Sequence, residues 1–555
     1  MGFLRGPALP PSVTMSVMAM MDTPLTTWLL FGHAPRYFHD TEIVSCLPDG
    51  GLHRCTYADF GRRTQRLMHA LDSLGLERGD RVATLAWNGH RHLEAYWAVP
   101  CTGRVLHTLN VRLSADHLAY VIGHAEDRVI LVDADLLPLL EQVYGLGALA
   151  GVTHVVVLAD EVPSTPLSRA VTVVAYEELI GGRPDHYPPL DLDERTPLGL
   201  CYTSGTTGCP KGVVYTHRST VLHAMTAATA AGVAIGPSDR VLPLVPMFHA
   251  NAWGLPYTAT AYGAKQVFHG GRQDPSALVE LMATERVTVA AGVPTVWMSV
   301  ADEIAARGGL PDLRHVMCGG ARPPGSLIER YRRELGIPLI QGWGMTETSP
   351  LASMAWPKER MSDWDEERVT GAVRNRAGLP LPGVQVEIRD ERGRAVPWDG
   401  ESMGELLVRG PWIAGSYFGG EGTDRFTDDG WFLTGDVAVG SPDGYFVITD
   451  RAKDLVKSGG EWISSVDMES AVMAMDGVTE AAVIAVPDER WQERPLVCMV
   501  LRPGARVGLA EVREHLKETG FARWQLPDQV EVLDALPRTG TGKFDKKVLR
   551  ARFGA

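Results

Sequence analysis

Short runs of Val, Ile and Leu alternate with helix-length segments through the first half of this chain, and that alternation limits the fold more than any other feature. The runs Arg81-Val-Ala-Thr-Leu-Ala-Trp87, Val129 to Val132 and Val155 to Leu158 are predominantly apolar. Such runs predict strands of a largely parallel sheet covered by helices on both faces. Ahead of them, Phe60, Leu67, Leu71 and Leu74 fall at helical spacings, with Gly75 where a C-terminal cap is expected. A second block of the same character runs from about Val241 to Gln341. From Gly378 to Tyr417 the pattern changes to short strands with the turn signals Asp390-Glu-Arg-Gly393 and Asp399-Gly400, which predicts a smaller β subdomain.

The last hundred or so residues read as a compact α+β unit. Ser464-Ser-Val-Asp467 has the spacing of a capping box, Met468, Val472 and Met475 share one side of the helix behind it, and a buried strand Ala481 to Val486 follows. Charge clusters from Asp450 to Asp454, between two patterned regions. The boundary is expected there, with residues 1–450 forming the N-terminal part and 451–555 the C-terminal one. A chain of 555 residues exceeds a single hydrophobic core. The expected class is multidomain α/β.

A net charge of −14 disfavours nucleic acid or an anionic membrane surface as partner. An anionic small substrate remains compatible, since a local Lys or helix N-termini reverse the field inside a site. The seven cysteines are dispersed, with no CxxC pair and no His cluster at zinc spacing, so reduced thiols are expected and a zinc site is not. The longest apolar stretch, Val287 to Ala301, is interrupted by Gly292 and Pro294 and is too short to span a bilayer. The first twenty residues carry Pro7, Pro10 and Pro11 and lack a compact apolar core of a secretory signal. A cytoplasmic location is the expectation.

The segment Tyr202-Thr-Ser-Gly-Thr-Thr-Gly-Cys-Pro-Lys-Gly212 carries the clearest chemistry. Gly205, Gly208 and Gly212 let the backbone turn tightly and approach an anion, Thr203, Ser204, Thr206 and Thr207 supply hydroxyl donors, and Lys211 supplies a cation. A triphosphate needs that combination. Lys211 follows Pro210 and precedes Gly212, so the segment is not a Walker A loop.

This segment resembles the signature loop of the adenylate-forming superfamily: acyl-CoA synthetases, firefly-type luciferases and the adenylation domains of peptide synthetases. Four further stretches resemble the superfamily's other motifs, in order: Gln341-Gly-Trp-Gly-Met-Thr-Glu-Thr-Ser-Pro350, Thr434-Gly-Asp436, Asp450-Arg-Ala-Lys-Asp-Leu-Val-Lys-Ser-Gly-Gly460 and Pro537-Arg-Thr-Gly-Thr-Gly-Lys543. The resemblance implies a large N-terminal domain of two α/β subdomains plus a β subdomain, with a small mobile α+β C-terminal domain. It also implies ATP, Mg²⁺ and coenzyme A as reactants and a carboxylic acid as substrate.

Site residues follow from the matched positions. The nucleotide set implied is Thr203, Ser204, Gly205, Thr206, Thr207, Gly208 and Lys211 of the loop, the turn Gly319-Gly320-Ala321 as adenine-side wall, Gln341 to Thr346, Asp436 and Arg451. Thr346 and Glu347 match the positions that hold the α-phosphate and Mg²⁺, with Thr206 also on the metal side; one or two carboxylates plus phosphate oxygens suit that ion. Trp343 offers a flat face to a purine, and the Asp436 carboxylate can accept both hydroxyls of a ribose diol. Lys543 matches the adenylation lysine, whose ammonium screens the substrate carboxylate from the α-phosphate and stabilises the transition state. Lys453 matches the hinge about which the C-terminal domain swings between an adenylating and a thioester-forming pose. His249 matches a substrate-side position and counts among the implied catalytic residues, although a buried structural histidine looks the same in sequence. Trp253 resembles an aromatic beside the acyl tunnel, and Gly459, Gly460 and Trp462 resemble the CoA-facing loop of the fatty-acid members.

Within the superfamily the chain is most similar to bacterial medium- and long-chain fatty-acyl-CoA synthetases, through Arg91-His-Leu-Glu-Ala-Tyr96, His124-Ala-Glu-Asp127, Val245-Pro-Met-Phe-His249, Lys457 to Ser464 and Trp491-Gln-Glu-Arg-Pro495. The same subgroup includes ligases for 3-methylthiopropionate and other short acids, and a carrier-protein thiol as acceptor would leave most motifs unchanged. No Arg or Lys stands in Gly254 to Tyr262 or Ala291 to Trp297 to pair a second acidic group, which fits an uncharged tail. Relatives are often homodimers. The sequence departs from its relatives at Val111, where they usually have Pro, and at Arg322, where they tend to have a small residue; a bulky cation there is expected to narrow the pocket or alter the acyl preference.

Overall fold

The computed structural model describes residues 20–203, 210–451, 454–458, 461–488, 490–539 and 543–554. Ser204, Gly205, Thr206, Thr207, Gly208, Lys453, Gly459 and Gly460 therefore lie outside the described residues. Described residues form four sheets. The first has seven strands in the order Thr172–Ala175, His154–Val157, Asp127–Val132, Arg81–Leu85, Val105–Thr108, Pro197–Tyr202 and Gly212–Thr216. All its pairs are parallel except the last, which is antiparallel. The apolar runs read from the sequence are its central strands, where Val82, Val129, Ile130, Leu131 and Val155 are fully buried. Helix Tyr57–Ser73 covers one face and is started by a Thr56–Asp59 capping box; Gly75, with φ of +71°, stands just beyond its end.

The second sheet has nine strands. It runs Leu379–Pro380, Leu351–Met354, Leu339–Gly344, His315–Cys318, Val289–Gly292, Arg240–Pro243, Lys265–Phe268, Glu42–Cys46 and Leu52–Thr56. The block from Val241 to Gln341 supplies its parallel centre, but the last two strands come from near the N-terminus. Glu42–Cys46 pairs in parallel with Lys265–Phe268, and Lys265 Nζ reaches Glu42 at 2.7 Å and Glu285 at 2.9 Å. Nothing local in Glu42-Ile-Val-Ser-Cys46 says which sheet it joins, because a five-residue apolar strand fits either core.

The β subdomain is an antiparallel sheet of Gln385–Arg389, Met403–Arg409, Phe432–Gly440 and Phe446–Arg451. It extends past Tyr417 to Arg451, so the Thr434-Gly-Asp436 motif lies inside a strand. The C-terminal sheet joins Glu461–Ile463, Val456–Ser458, Gln492–Leu501 and Val478–Asp488, with Gln529–Val532 added in parallel to Gln492–Leu501. Helix Ser465–Met473 packs Met468 and Val472 beneath it; Met475 lies past the helix end. Ser464 Oγ accepts from Asp467 N at 3.0 Å, one half of the expected capping box. The Asp467 carboxylate is engaged elsewhere, by Arg322.

The two large sheets are joined around Asn88. Its side-chain amide donates to Pro243 O and Val245 O, both at 3.0 Å, and accepts from Met247 N at 2.7 Å. These three backbone groups thereby gain a buried partner, and the loop that follows, carrying His249, is held at the seam between the sheets. No described helix is long and apolar enough to cross a membrane. The six described cysteines are buried and free.

Candidate active site

Strands Pro197–Tyr202 and Gly212–Thr216 pair antiparallel and clamp the base of the glycine-rich loop. Thr203 N donates to Lys211 O at 2.9 Å, and Lys211 N donates to Thr203 Oγ1 at 3.2 Å. The Lys211 ammonium stands 5.1 Å above the Tyr417 ring. Tyr417 in turn donates its hydroxyl to Glu347 Oε1 at 2.6 Å. Tyr417 thus ties the cation of the loop to the carboxylate of the next motif. No motif marks it, and only the tertiary contact reveals it.

Thr346 to Thr348 form one tight turn after strand Leu339–Gly344, with Thr346 and Glu347 mostly buried. Three backbone demands fix the turn. Tyr215 donates to Thr346 O at 2.8 Å, Ala414 N donates to Glu347 O at 2.7 Å, and a Cβ on Gly344 would stand 1.8 Å from Pro350 O. Gly344 is therefore required by a close approach, whatever its φ. Gly342 is similarly crowded by Met317 and Met354, and the buried Gln341 leaves Oε1 without a partner among the described residues. Met345 N is closed off by Thr348 Oγ1 at 2.9 Å.

Asp436 and Arg451 are directly opposed across neighbouring strands, and the buried Asp436 carboxylate receives Arg451 Nε at 2.7 Å. Its other oxygen accepts from Trp343 Nε1 at 2.9 Å. Trp343 also meets Phe446 edge-on, with ring centres 5.6 Å apart. The indole is fixed by these two contacts, and each Asp436 oxygen keeps lone-pair capacity for a hydroxyl.

The third cluster forms where the C-terminal domain meets the large one. A Cβ built on Gly320, whose φ is +80°, would lie 3.6 Å from Lys543 Cε and 3.7 Å from the Trp253 indole. One built on Gly319 would lie 2.9 Å from Gly342 O and 3.1 Å from the same indole. The lysine stem, Trp253 and the adjacent strand thus converge on Gly319 and Gly320 and leave no free space for side chains there. Burial first, then the charges of Lys543 and Arg112, push the His249 imidazole down to about 4, so it is neutral near pH 7. His249 and Thr203 line one small cavity with Tyr202 and Phe248.

Trp253 ends a run of left-handed residues: Ala250, Asn251, Ala252 and Trp253 have φ of 43°, 53°, 48° and 58°, and Gly254 has 75°. Each non-glycine residue there costs on the order of 1 kcal/mol. The run is held by Asn251 Oδ1, which receives Tyr96 OH at 3.3 Å and Cys201 Sγ at 3.4 Å. Beneath it, His223 fits only because residue 254 lacks a Cβ, and His223 Nε2 accepts from Leu351 N at 3.1 Å.

Arg322 is engaged by Asp467 at 2.5 Å and by Asn375 Oδ1 at 3.2 Å, so its guanidinium makes a contact between domains. In the apolar stretches Gly254 to Tyr262 and Ala291 to Trp297, Trp297 and Tyr257 are fully buried core, and Trp297 Nε1 is satisfied by Gly292 O and Met317 O at 3.1 Å each. Trp462 is 38% exposed on a C-terminal strand, with Lys457 Nζ 5.1 Å from its ring centre. Glu347 beside Lys211 fits an Mg²⁺ that arrives with a polyphosphate, since such an ion takes few protein carboxylates. No group of three or more His, Cys, Asp or Glu among the described residues forms a protein cage for a metal.

Comparison with known proteins gives the family. Residues 31–418 match the model of AMP-binding enzymes, and residues 467–543 match that of the AMP-binding enzyme C-terminal domain. The chain is 48% identical over 538 residues to a long-chain-fatty-acid–CoA ligase of Thermus thermophilus, covering 96% of each chain. It is 42% identical to a medium-chain-fatty-acid–CoA ligase of Ectopseudomonas oleovorans, covering 96% of this chain and 97% of the relative. It is 43% identical to a 3-methylmercaptopropionyl-CoA ligase of Ruegeria lacuscaerulensis, covering 96% and 98%. Among solved structures, ATP-bound MatB from Rhodopseudomonas palustris superposes with a TM-score of 0.80 at 25% identity, over 96% of this chain and 99% of that one. The chain belongs to the AMP-binding enzymes, in their branch of AMP-forming acid–CoA ligases.

Proposed function

We propose that this ligase activates a medium- or long-chain fatty acid to its acyl-adenylate and then forms the acyl-CoA thioester. The observation that carries the adenylation step is the convergence of Lys543 with Gly320, Trp253 and His249. In the first step a carboxylate oxygen bonds to the α-phosphorus of ATP, the α–β phosphate bond breaks, and pyrophosphate leaves. Two anions must approach for this, and the Lys543 ammonium offsets their repulsion. Lys211 and the loop hydroxyls hold the phosphates, Asp436 with Arg451 holds the ribose, and Glu347 and Thr206 would hold Mg²⁺, which would supply charge screening at the phosphates. In the second step the CoA sulfur bonds to the acyl carbon, AMP departs, and the thiol proton passes to solvent. A thiol of pKa about 8.5 needs little help to ionise. The two half-reactions need different groups at one carbon, which supports a boundary near residues 450 and 451 and a hinge at Lys453. Mg²⁺, a cytoplasmic location, a homodimer and a place in lipid metabolism complete the reading.

Support for a fatty acid is the identity of 48% and 42% to ligases named for long- and medium-chain acids. A short acid of the 3-methylthiopropionate type is the second reading, favoured by the 43% identity to a ligase named for it. A C3 to C18 panel of carboxylates decides between them: kcat/KM is expected to peak at C8 or above, and a peak at C3 to C4 would replace the first reading with the second. Running the panel with CoA and with a holo carrier protein separates the thiol acceptors; no CoA-dependent product would sink the ligase reading.

His249 gives a prediction of its own. Its imidazole is pushed to about 4 and is uncharged through the working range, so it acts as a neutral hydrogen-bonding group. His249→Asn is expected to lower the rate without changing the shape of the pH profile between 5.5 and 8. A limb near pH 6.5 that disappears in the variant would show that the histidine titrates during turnover.

A further inference from the structure

We propose that the Arg322–Asp467 ion pair is a positioning contact that clamps the C-terminal domain in the pose presenting Lys543 to the Gly319-Gly320-Ala321 turn. The proposal rests on the adenylation reading above.

Arg322 directly follows the turn that Lys543 packs against. Its Nε donates to Asn375 Oδ1 at 3.2 Å, which fixes the guanidinium on the large domain, and its Nη1 reaches Asp467 Oδ1 at 2.5 Å. Asp467 lies in the first turn of helix Ser465–Met473, on the small domain. The partners are 145 positions apart in sequence, and helix Gly325–Arg333, just beyond Arg322, packs on the Asp467 helix. Hydrogen bonds beside the covalent connection also join the domains: Ser464 Oγ donates to Thr449 O at 2.8 Å and Ser465 N to Asp450 Oδ2 at 2.7 Å. Groups near a pivot move little when a domain turns. The Arg322 contact, by contrast, comes from a distant part of the chain and registers which pose is occupied.

The cost of parting the pair has a second source. Burial first, then the charge of Arg322, lower the Arg376 guanidinium, and Asp443 partly offsets them, so two guanidinium groups share one carboxylate on the large-domain side. Asp467 adds a second carboxylate when the small domain is docked here. Arg322 is 15% exposed and Asp467 45%, so the pair is worth a few-fold in a two-pose equilibrium and not a lock. A contact of that strength biases the domain toward adenylation and still lets it leave for thioester formation.

The test uses the full chain and two independent readouts. Nitroxides at Glu391→Cys and Glu518→Cys, both exposed and on opposite domains, report the pose with ATP bound. Acid-dependent ATP–pyrophosphate exchange and thioester formation from preformed acyl-adenylate report the two half-reactions. Arg322→Ala is expected to broaden the distance distribution and lower exchange about fivefold, leaving thioester formation unchanged or faster. Asp467→Arg, which sets a third cation beside Arg322 and Arg376, is expected to do so more strongly, and the swap Arg322→Asp with Asp467→Arg to restore both readouts in part. An unchanged distance distribution with unchanged exchange, or an equal loss in both half-reactions that the swap does not rescue, would overturn the clamp. If the parent shows no acid-dependent exchange while Arg322→Ala still shifts the distances, the adenylation reading fails and the clamp stands as a domain contact.

Discussion

Replacing Lys543 with alanine is expected to lower acid-dependent ATP–pyrophosphate exchange by about 10²–10³, the range seen when one preorganised charge-stabilising group is removed from an active site. The size follows from where the ammonium works. The Lys543 stem lies against Gly320, a position without a side chain, and its charge is felt by His249. In a partly desolvated cleft between two negative reactants, no neighbouring described cation in that cluster replaces it except Arg112, which also acts on His249. The thioester half-reaction, started from preformed acyl-adenylate, is expected to survive, because no approach of two anions is then required. Loss of both halves to the same extent would mean that Lys543 supports the fold of its domain. Retention of exchange within threefold of the parent would remove it from the mechanism.

The second large effect is on stability. Lys546 is largely covered in the C-terminal domain, its side chain 13% exposed, 2.6 Å from Glu469 Oε1 and 2.6 Å from Ser465 Oγ. Asp450 joins the cluster through Ser465 N and Oγ, and Val483 N donates to Glu469 at 2.7 Å. Burial alone would lower the Lys546 ammonium, yet Glu469 and Asp450 carry it above its ordinary value. Burial raises both carboxylates, which its charge pulls back down. Lys546→Met would strand two buried acids without their counter-charge, at a cost of about 3–5 kcal/mol. Urea unfolding of the full chain measures this as a loss of stability in the C-terminal transition. The double variant Lys546→Met with Glu469→Gln is expected to recover part of the loss, since one stranded charge is then removed. A single variant within about 1 kcal/mol of the parent would show that the cluster is not electrostatically coupled.

Legibility in the sequence depended on how local each feature is. The phosphate loop, the Gly344 to Thr348 turn and the parallel strands are set by residues adjacent in the chain, so their types and spacings announce them. Gly344 shows why: a backbone oxygen six residues on leaves no room for a Cβ. Tyr417, His223 and Asp467 carry no such mark. Tyr417 matters through Glu347, His223 through Gly254 and Leu351, and Asp467 through Arg322, all partners distant in sequence. The Ser464 to Asp467 box shows the same limit from the other side. Its spacing was sound, but a tertiary partner took the Asp467 carboxylate that a local rule assigned to the helix start. The short-strand pattern from Gly378 to Tyr417 marks only part of the β subdomain, since pairing with Phe446–Arg451 makes Phe432–Gly440 a strand despite its glycines.

The placement of strand Glu42–Cys46 has a consequence for synthesis. Its partner is Lys265–Phe268, and the ion pair between Glu42 and Lys265 spans 223 positions. At about 5–20 residues per second the strand waits roughly ten to forty seconds after leaving the ribosome before its partner emerges. Ile43 and Val44, fully buried in the finished protein, spend that interval without the sheet that will hide them. The second sheet therefore cannot close in the order in which its residues are made, and the nascent chain carries an unpaired apolar edge that chaperones are suited to shield.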